Sequence, residues 1–131
     1  MIDIIRISQR AKEQLIQLKR QTGITQWNVL CRWALCLSMA DPTPIEDFDD
    51  AADSNVEMRW EVFAGDDEEI YWSLIVERCR QEDCSRQSKN ILRFTRQHIH
   101  RGISRMNADG KYNIITLLEG IKKITPSQPM A

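Results

Sequence analysis

Ile4-Ile5-Arg6-Ile7-Ser8-Gln9-Arg10-Ala11-Lys12-Glu13-Gln14-Leu15-Ile16-Gln17-Leu18-Lys19-Arg20-Gln21-Thr22-Gly23-Ile24-Thr25 is the stretch that decides how this chain folds. The β-branched run from Ile2 to Ile7 reads as one short strand bounded by Ser8. Ser8 is a suitable N-cap, because its hydroxyl can take an N–H of the first helical turn. Ala11, Leu15, Ile16 and Leu18 then recur at helical spacing and predict a helix to about Thr22. Gly23 supplies the stop, since glycine takes the left-handed cap conformation most cheaply. Thr25 is read as the cap of a second helix from Gln26 to about Ala40, closed by Asp41-Pro42. Strand, helix, glycine turn, helix is the order of a ribbon-helix-helix unit. A lone strand cannot satisfy its own backbone, so this one requires a partner strand.

Working outward, Pro42 to Asn55 holds two prolines, many acids and little periodicity, and predicts an exposed loop. Val56 to Phe63 alternates Val56, Met58, Trp60 and Val62 with charged residues, and predicts a half-buried strand. Gly65 opens a turn, and Asp66-Asp67-Glu68-Glu69 start a helix that runs from about Asp67 to Gln81, where the dipole favours acids. A longer helix follows from about Ser85 to Asn107, stopped near Asp109-Gly110, then a short one over Ile114–Ile121 and a frayed tail from Thr125. The expected fold is mainly α, a helical bundle containing a ribbon-helix-helix-like N-terminal unit, with one or two short strands. One domain is expected over 1–124, made of that unit (1–40), an acidic loop and strand (41–66) and a helical part (67–124), with a flexible tail over 125–131.

A length of 131 residues with 42% hydrophobic content is enough for one real core. Met1-Ile2-Asp3-Ile4-Ile5-Arg6 carries an early acid and lacks the features of a signal peptide. The longest apolar run, Trp33 to Met39, is too short to span a bilayer. A soluble, cytoplasmic protein with no membrane partner is expected. Cys31, Cys36, Cys79 and Cys84 therefore read as reduced, buried thiols rather than disulfides, with Cys84 the most exposed. Their C-x4-C spacings are not those of zinc knuckles.

The net charge of −1 hides a polar distribution. Between Asp41 and Glu69 acids crowd around the single base Arg59. Between Cys84 and Met106 stand Arg86, Lys89, Arg93, Arg96, Arg101 and Arg105, with no acid. Arg86, Lys89, Arg93, Arg96 and His100 recur every three or four residues, which predicts one basic helical stripe beside an apolar one of Leu92, Ile99, Ile103 and Met106. Like charges at that spacing repel, and a polyanion would offset the cost. The competing reading is a solvated basic face that answers the acidic middle of the same chain.

A second basic cluster, Arg6, Arg10, Lys12, Lys19 and Arg20, lies on and beside the first strand and helix. The strand itself is rich in Ile, with few groups able to read base edges, so phosphate contact is favoured over sequence readout. His98 and His100, two apart on a helix, point to different sides and make a poor metal pair; one packed and one surface histidine are expected. The run Asp66 to Glu69 could hold Mg²⁺, although a capping role suits it better. Trp27, Trp33, Trp60, Tyr71, Trp72 and Phe94 could stack on bases, but their apolar settings favour the core. No P-loop, dinucleotide-binding, nucleophile-elbow or zinc signature is present, which favours a binding module.

Several of these residues also carry a resemblance. Arg6 to Leu15 with Leu18-Lys19, Thr22-Gly23-Ile24-Thr25, Asn28 to Arg32, Trp60, Gly65, Tyr71-Trp72 and His98 to Gly102 together resemble the E subunit (DndE) family of DNA sulfur-modification systems. The resemblance implies a part in phosphorothioation, in which sulfur replaces a non-bridging phosphate oxygen. It also implies a fold similar to ribbon-helix-helix proteins and binding of duplex or nicked DNA through surface lysines. Implied partners are DNA, an ATPase, an iron–sulfur sulfurtransferase-like subunit and a cysteine desulfurase, with a possible homo-oligomer. The expected DNA contacts are Arg10, Lys12, Lys19 and Arg20, with Lys89, Arg93, Arg96, His100 and Arg101 behind them. No cofactor is expected for such a binding subunit. Mg²⁺ enters only if the protein is a nickase, and a protein–protein adaptor is the other alternative.

Overall fold

A computed structural model describes residues 2–45, 51–84 and 88–108. Its local rules begin as the sequence predicts. Ser8 Oγ accepts the Ala11 N–H at 3.0 Å and opens helix α1, Gln9–Thr22. Gly23, at φ 75°, closes that helix by donating its N–H to Lys19 O. Helix α2, Trp27–Ala40, starts at Gln26 without a side-chain cap, so the role expected of Thr25 is not observed. Ala11, Leu15 and Leu18 are buried, whereas Ile16 turns outward at 36% exposure.

Strand β1 spans Ile4–Arg6 and finds its partner within the chain. It pairs antiparallel with β2, Glu57–Arg59, in the register Ile4↔Arg59, Ile5↔Met58, Arg6↔Glu57. Ile5 and Met58 point into the core, while Arg6 and Glu57 form an ion pair on the outer face. The backbone match extends beyond the ladder, with Trp60 N–H donating to Asp3 O at 2.9 Å.

The strand expected over Val56 to Phe63 stops at Arg59. Trp60–Ala64 is instead the short helix α3, followed by a single 3₁₀ turn at Gly65–Asp67. Trp60, Phe63 and Ala64 are buried and Val62 is 51% exposed. Spacings of three and four therefore override the alternation, because this turn must deliver its two rings to one core. Trp60 stacks on Phe63 at 5.7 Å and meets Trp72 edge-on at 6.1 Å, while Phe63 meets Tyr71 at 6.0 Å. These aromatic rings are used for packing.

Helix α4, Glu68–Gln81, and helix α5, Ser88–Ala108, complete the described elements. Helix α5 is the centre of the molecule and not a surface stripe. It packs chiefly on α2, and also against α1, α4 and β1. Ile99, Ile103 and Met106 are fully buried, as their spacing predicts. The crossing with α2 is close enough to need glycine: a Cβ on Gly102 would lie 1.9 Å from Ala34 O.

The cysteines depart from expectation. Cys79 and Cys84 form a disulfide, with Cα atoms 5.0 Å apart. Residues five apart diverge on a continuous helix, but α4 ends between these two. Asp83 takes φ 59°, and Cys84 N–H returns to Cys79 O at 2.9 Å, which folds Cys84 over the last turn. Cys36 is the exposed thiol. Cys31 is buried as expected, and burial pushes its thiol up to about 12.

Parts of the Pro42–Asn55 loop that are described contain no helix or strand. Arg86, the Gly110 stop, the predicted helix 114–121 and the tail 125–131 lie outside the described residues, as does the Lys89 side chain. Among the described residues, no helix is long and apolar enough to cross a membrane.

Candidate nucleic-acid interface

Four cations project from α1, and its fold decides where. Lys12 and Lys19, seven residues apart, share one flank of the helix. Lys12 Nζ donates to Asn55 Oδ1 at 2.6 Å, and Lys19 Nζ sits 3.3 Å above the Trp27 ring. Both partners are neutral, so each ammonium is oriented without being paired to a carboxylate. Arg20 faces outward, and Arg10 falls on the flank nearer α5. None of the four forms an ion pair among the described residues. Arg6, Arg78, Arg80 and Arg105, by contrast, each pair with a carboxylate.

Among the described α5 residues, His100 falls outside the expected stripe. Arg93 is exposed and Arg96 half-buried, and both are engaged by neighbours. His100 is 8% exposed and its Nε2 accepts the Ser8 N–H at 3.1 Å, so its place is inside, fixing the start of α1. His98 is also buried, and the surface histidine expected of this pair does not exist. Arg101 works as a clamp. Its Nε donates to Ser38 Oγ at 2.8 Å, Nη2 to Ser38 O at 2.7 Å and Nη1 to Thr43 O at 2.8 Å.

That clamp belongs to a buried polar network that sequence reasoning missed. Arg78 Nε donates to Glu82 Oε2 at 2.5 Å, and its Nη1 and Nη2 bind the carbonyls of Met39 and Asp41 at 2.6 and 2.5 Å. Glu82 Oε1 accepts the Ile45 N–H at 2.6 Å. His98 joins the two sides, with Nδ1 2.7 Å from Ser38 Oγ and Nε2 3.1 Å from Glu82 Oε2. The Glu82 carboxylate can only accept, so His98 carries its proton on Nε2, and its Nδ1 accepts from the Ser38 hydroxyl. Serine, histidine and glutamate in this order look like an acyl-transfer triad. Ser38 and His98 are both fully buried, however, and a hydroxyl that no substrate can reach is structural here. The network straps residues 41–45 to α4 and α5. The hint in the sequence was Arg78 and Glu82 at helical spacing, which reads as an ordinary surface pair.

Burial dominates the titration of His98 and lowers its pKa to about 4, with Arg101 and Arg78 adding to the effect and Glu82 opposing it. Burial works to raise the Glu82 pKa, but the Ile45 amide, Arg78 and His98 more than reverse it. Both shifts set the same sign. Between pH 6.5 and about 4 the unfolded chain takes up a proton at His98 that the folded chain refuses, so stability falls as pH falls through that window. Glu82, ionised in the fold below its ordinary pKa, extends the loss to lower pH. The expected loss from His98 is on the order of 3 kcal/mol, read by urea denaturation at pH 7 and pH 4. A profile flat across that range would refute the assignment.

Asp66 to Glu69 occupy the 3₁₀ turn and the first turn of α4. Among the described residues, no group of three or more His, Cys, Asp or Glu side chains is arranged to hold a metal ion.

Fold and surface define a mainly α protein with a two-stranded antiparallel ribbon and a first helix whose cations form no ion pair among the described residues. A family model described as DNA sulphur modification protein DndE matches residues 4–113. The chain belongs to that family, and family membership ties it to DNA sulfur modification and to a multi-subunit system. No curated protein matches it significantly.

Proposed function

We propose that this chain is a DNA-backbone binding subunit of the sulfur-modification machinery, holding duplex or nicked DNA by phosphate contacts. The observation that supports this best is the state of the α1 cations. Arg10, Lys12, Lys19 and Arg20 form no ion pair among the described residues, whereas Arg6, Arg78, Arg80 and Arg105 each pair with a carboxylate. A polyanion is the partner that such a surface suits. Arg93, Arg96 and Lys89 on α5 extend the contact, and Arg101 adds fixed charge behind it. Base reading by the ribbon is a poor alternative, because Arg6 is held by Glu57 and its neighbour Ile4 is apolar. Other subunits of the system, among them the ATPase and sulfur-transfer components, are the proposed protein partners.

Fluorescence anisotropy with intact and nicked duplexes tests this. Four phosphate contacts predict a log–log salt slope of about −3.6. Reversing Lys12 and Lys19 to Glu should reduce affinity at least tenfold and lower the slope by about 2. No binding at low salt, or binding indifferent to both substitutions, would sink the reading. Plasmid nicking in Mg²⁺ that a single substitution abolishes would replace it with a nickase.

A further inference from the structure

Between the start of α1 and the middle of α5 lies an open cleft of about 430 Å³. Ser8, Arg10, Gln14, His100, Arg101 and Ser104 line it, and Asp53 stands among them as a carboxylate. The geometry points to this cleft as a phosphate seat whose strength Asp53 limits. The choice of DNA as the source of that phosphate rests on the reading above; the seat itself does not.

Arg101 spends its guanidinium on neutral acceptors, Ser38 Oγ, Ser38 O and Thr43 O, at 2.7–2.8 Å. Its position is therefore fixed, and among the described residues no carboxylate forms an ion pair with it. Arg10, exposed and without an ion pair among the described residues, adds a second, movable cation at the cleft. A guanidinium held by carbonyls and a second, exposed one lining the same cleft suit a tetrahedral oxyanion better than a neutral ligand.

Neutral donors complete the lining. Ser8 Oγ accepts the Ala11 N–H and keeps its own proton to give, and Ser104 and Gln14 supply a hydroxyl and an amide. The helix end itself contributes little. Gln9 N–H already donates to Asp53 Oδ1 at 2.8 Å, and the Lys12 N–H donates to Ser8 O at 3.0 Å. The seat is built from side chains, and the acid on its edge is positioned to repel an incoming anion.

Backbone NMR of the full chain, titrated separately with inorganic phosphate and with a short duplex, separates the sources. Asp53→Asn and Ser104→Glu are the variants. The Ser8 and Ser104 amides should shift with either probe. Asp53→Asn should raise affinity about threefold or more, and Ser104→Glu should lower it by at least as much, by removing and adding one charge. A merely structural Asp53 predicts a loss in its variant, opposite in sign, and this exposed position still reads the seat if Ser104→Glu lowers stability. Duplex binding that leaves the cleft amides unmoved and ignores both substitutions overturns the seat and spares the DNA reading. Phosphate shifts without duplex binding do the reverse and assign the seat to a free phosphate.

Discussion

Gly102→Ala is expected to cost this protein most of its stability. The added methyl would stand 1.9 Å from Ala34 O, 2.4 Å from its carbonyl carbon and 2.6 Å from its Cα. All three are backbone atoms of α2, so no rotamer can give way, and the two helices must separate. Neighbouring residues tie the same crossing, since Ser38, one turn on from Ala34, meets His98, one turn back from Gly102, at 2.7 Å. Separation would break that contact and open the face formed by Ile99, Ile103 and Leu35. Ordinary overpacking costs about 1–3 kcal/mol, and a clash with immovable backbone belongs at or beyond the upper end. Thermal unfolding should fall by about 10 °C or more, or no folded protein should be recovered. Gly23→Ala is the control. Nothing lies within 4 Å of its Cβ position, so only the φ of 75° opposes it, at about 1–2 kcal/mol. Equal effects at the two sites would contradict the close crossing.

Glu82→Ala should be nearly as damaging, for an electrostatic reason. Glu82 is the carboxylate that contacts Arg78, whose side chain is only 10% exposed, and it also receives the Ile45 amide and His98 Nε2. Removing one partner of a buried ion pair leaves the other charged and poorly solvated, at about 3–5 kcal/mol. Denaturation midpoints would measure the loss, and amide exchange at Ile45 would localise it. Adding Arg78→Leu to Glu82→Ala should recover part of the stability, because the stranded charge is gone even though its carbonyl contacts are too. If the single variant were as stable as the parent, the network would be decorative.

Local rules were legible wherever one residue settles one geometry. Ser8 and Gly23 bracket α1 because a hydroxyl at an N-cap and a glycine at a left-handed stop act within a single turn. Thr25 and the Val56–Phe63 alternation misled for the converse reason. An adjacent residue can start a helix without a cap, and alternation over a few residues cannot outweigh the burial of Trp60 and Phe63 on one side.

The candidate interface divides the same way. Lys12 and Lys19 were expected as contacts because they fall inside the stretch that carries the family resemblance, and the fold adds that seven residues on a helix return them to one flank. Charge and period place His100 in a basic stripe, and Arg101 was expected among the DNA contacts. The structure makes α5 the central helix, so period alone could not say which face met solvent.

Sequence by itself determined a mainly α chain with a short strand, a capped and basic first helix, and a resemblance that family membership bears out. Tertiary structure decided which strand β1 pairs with, which cations stay uncancelled, and that Ser38, Arg78, Glu82, His98 and Arg101 form one network. The physical reason is range. Caps, turns and helical faces are set by neighbours a few residues apart. Charge cancellation and burial depend on residues that only the fold brings together, such as Ser38 and His98, which lie sixty positions apart.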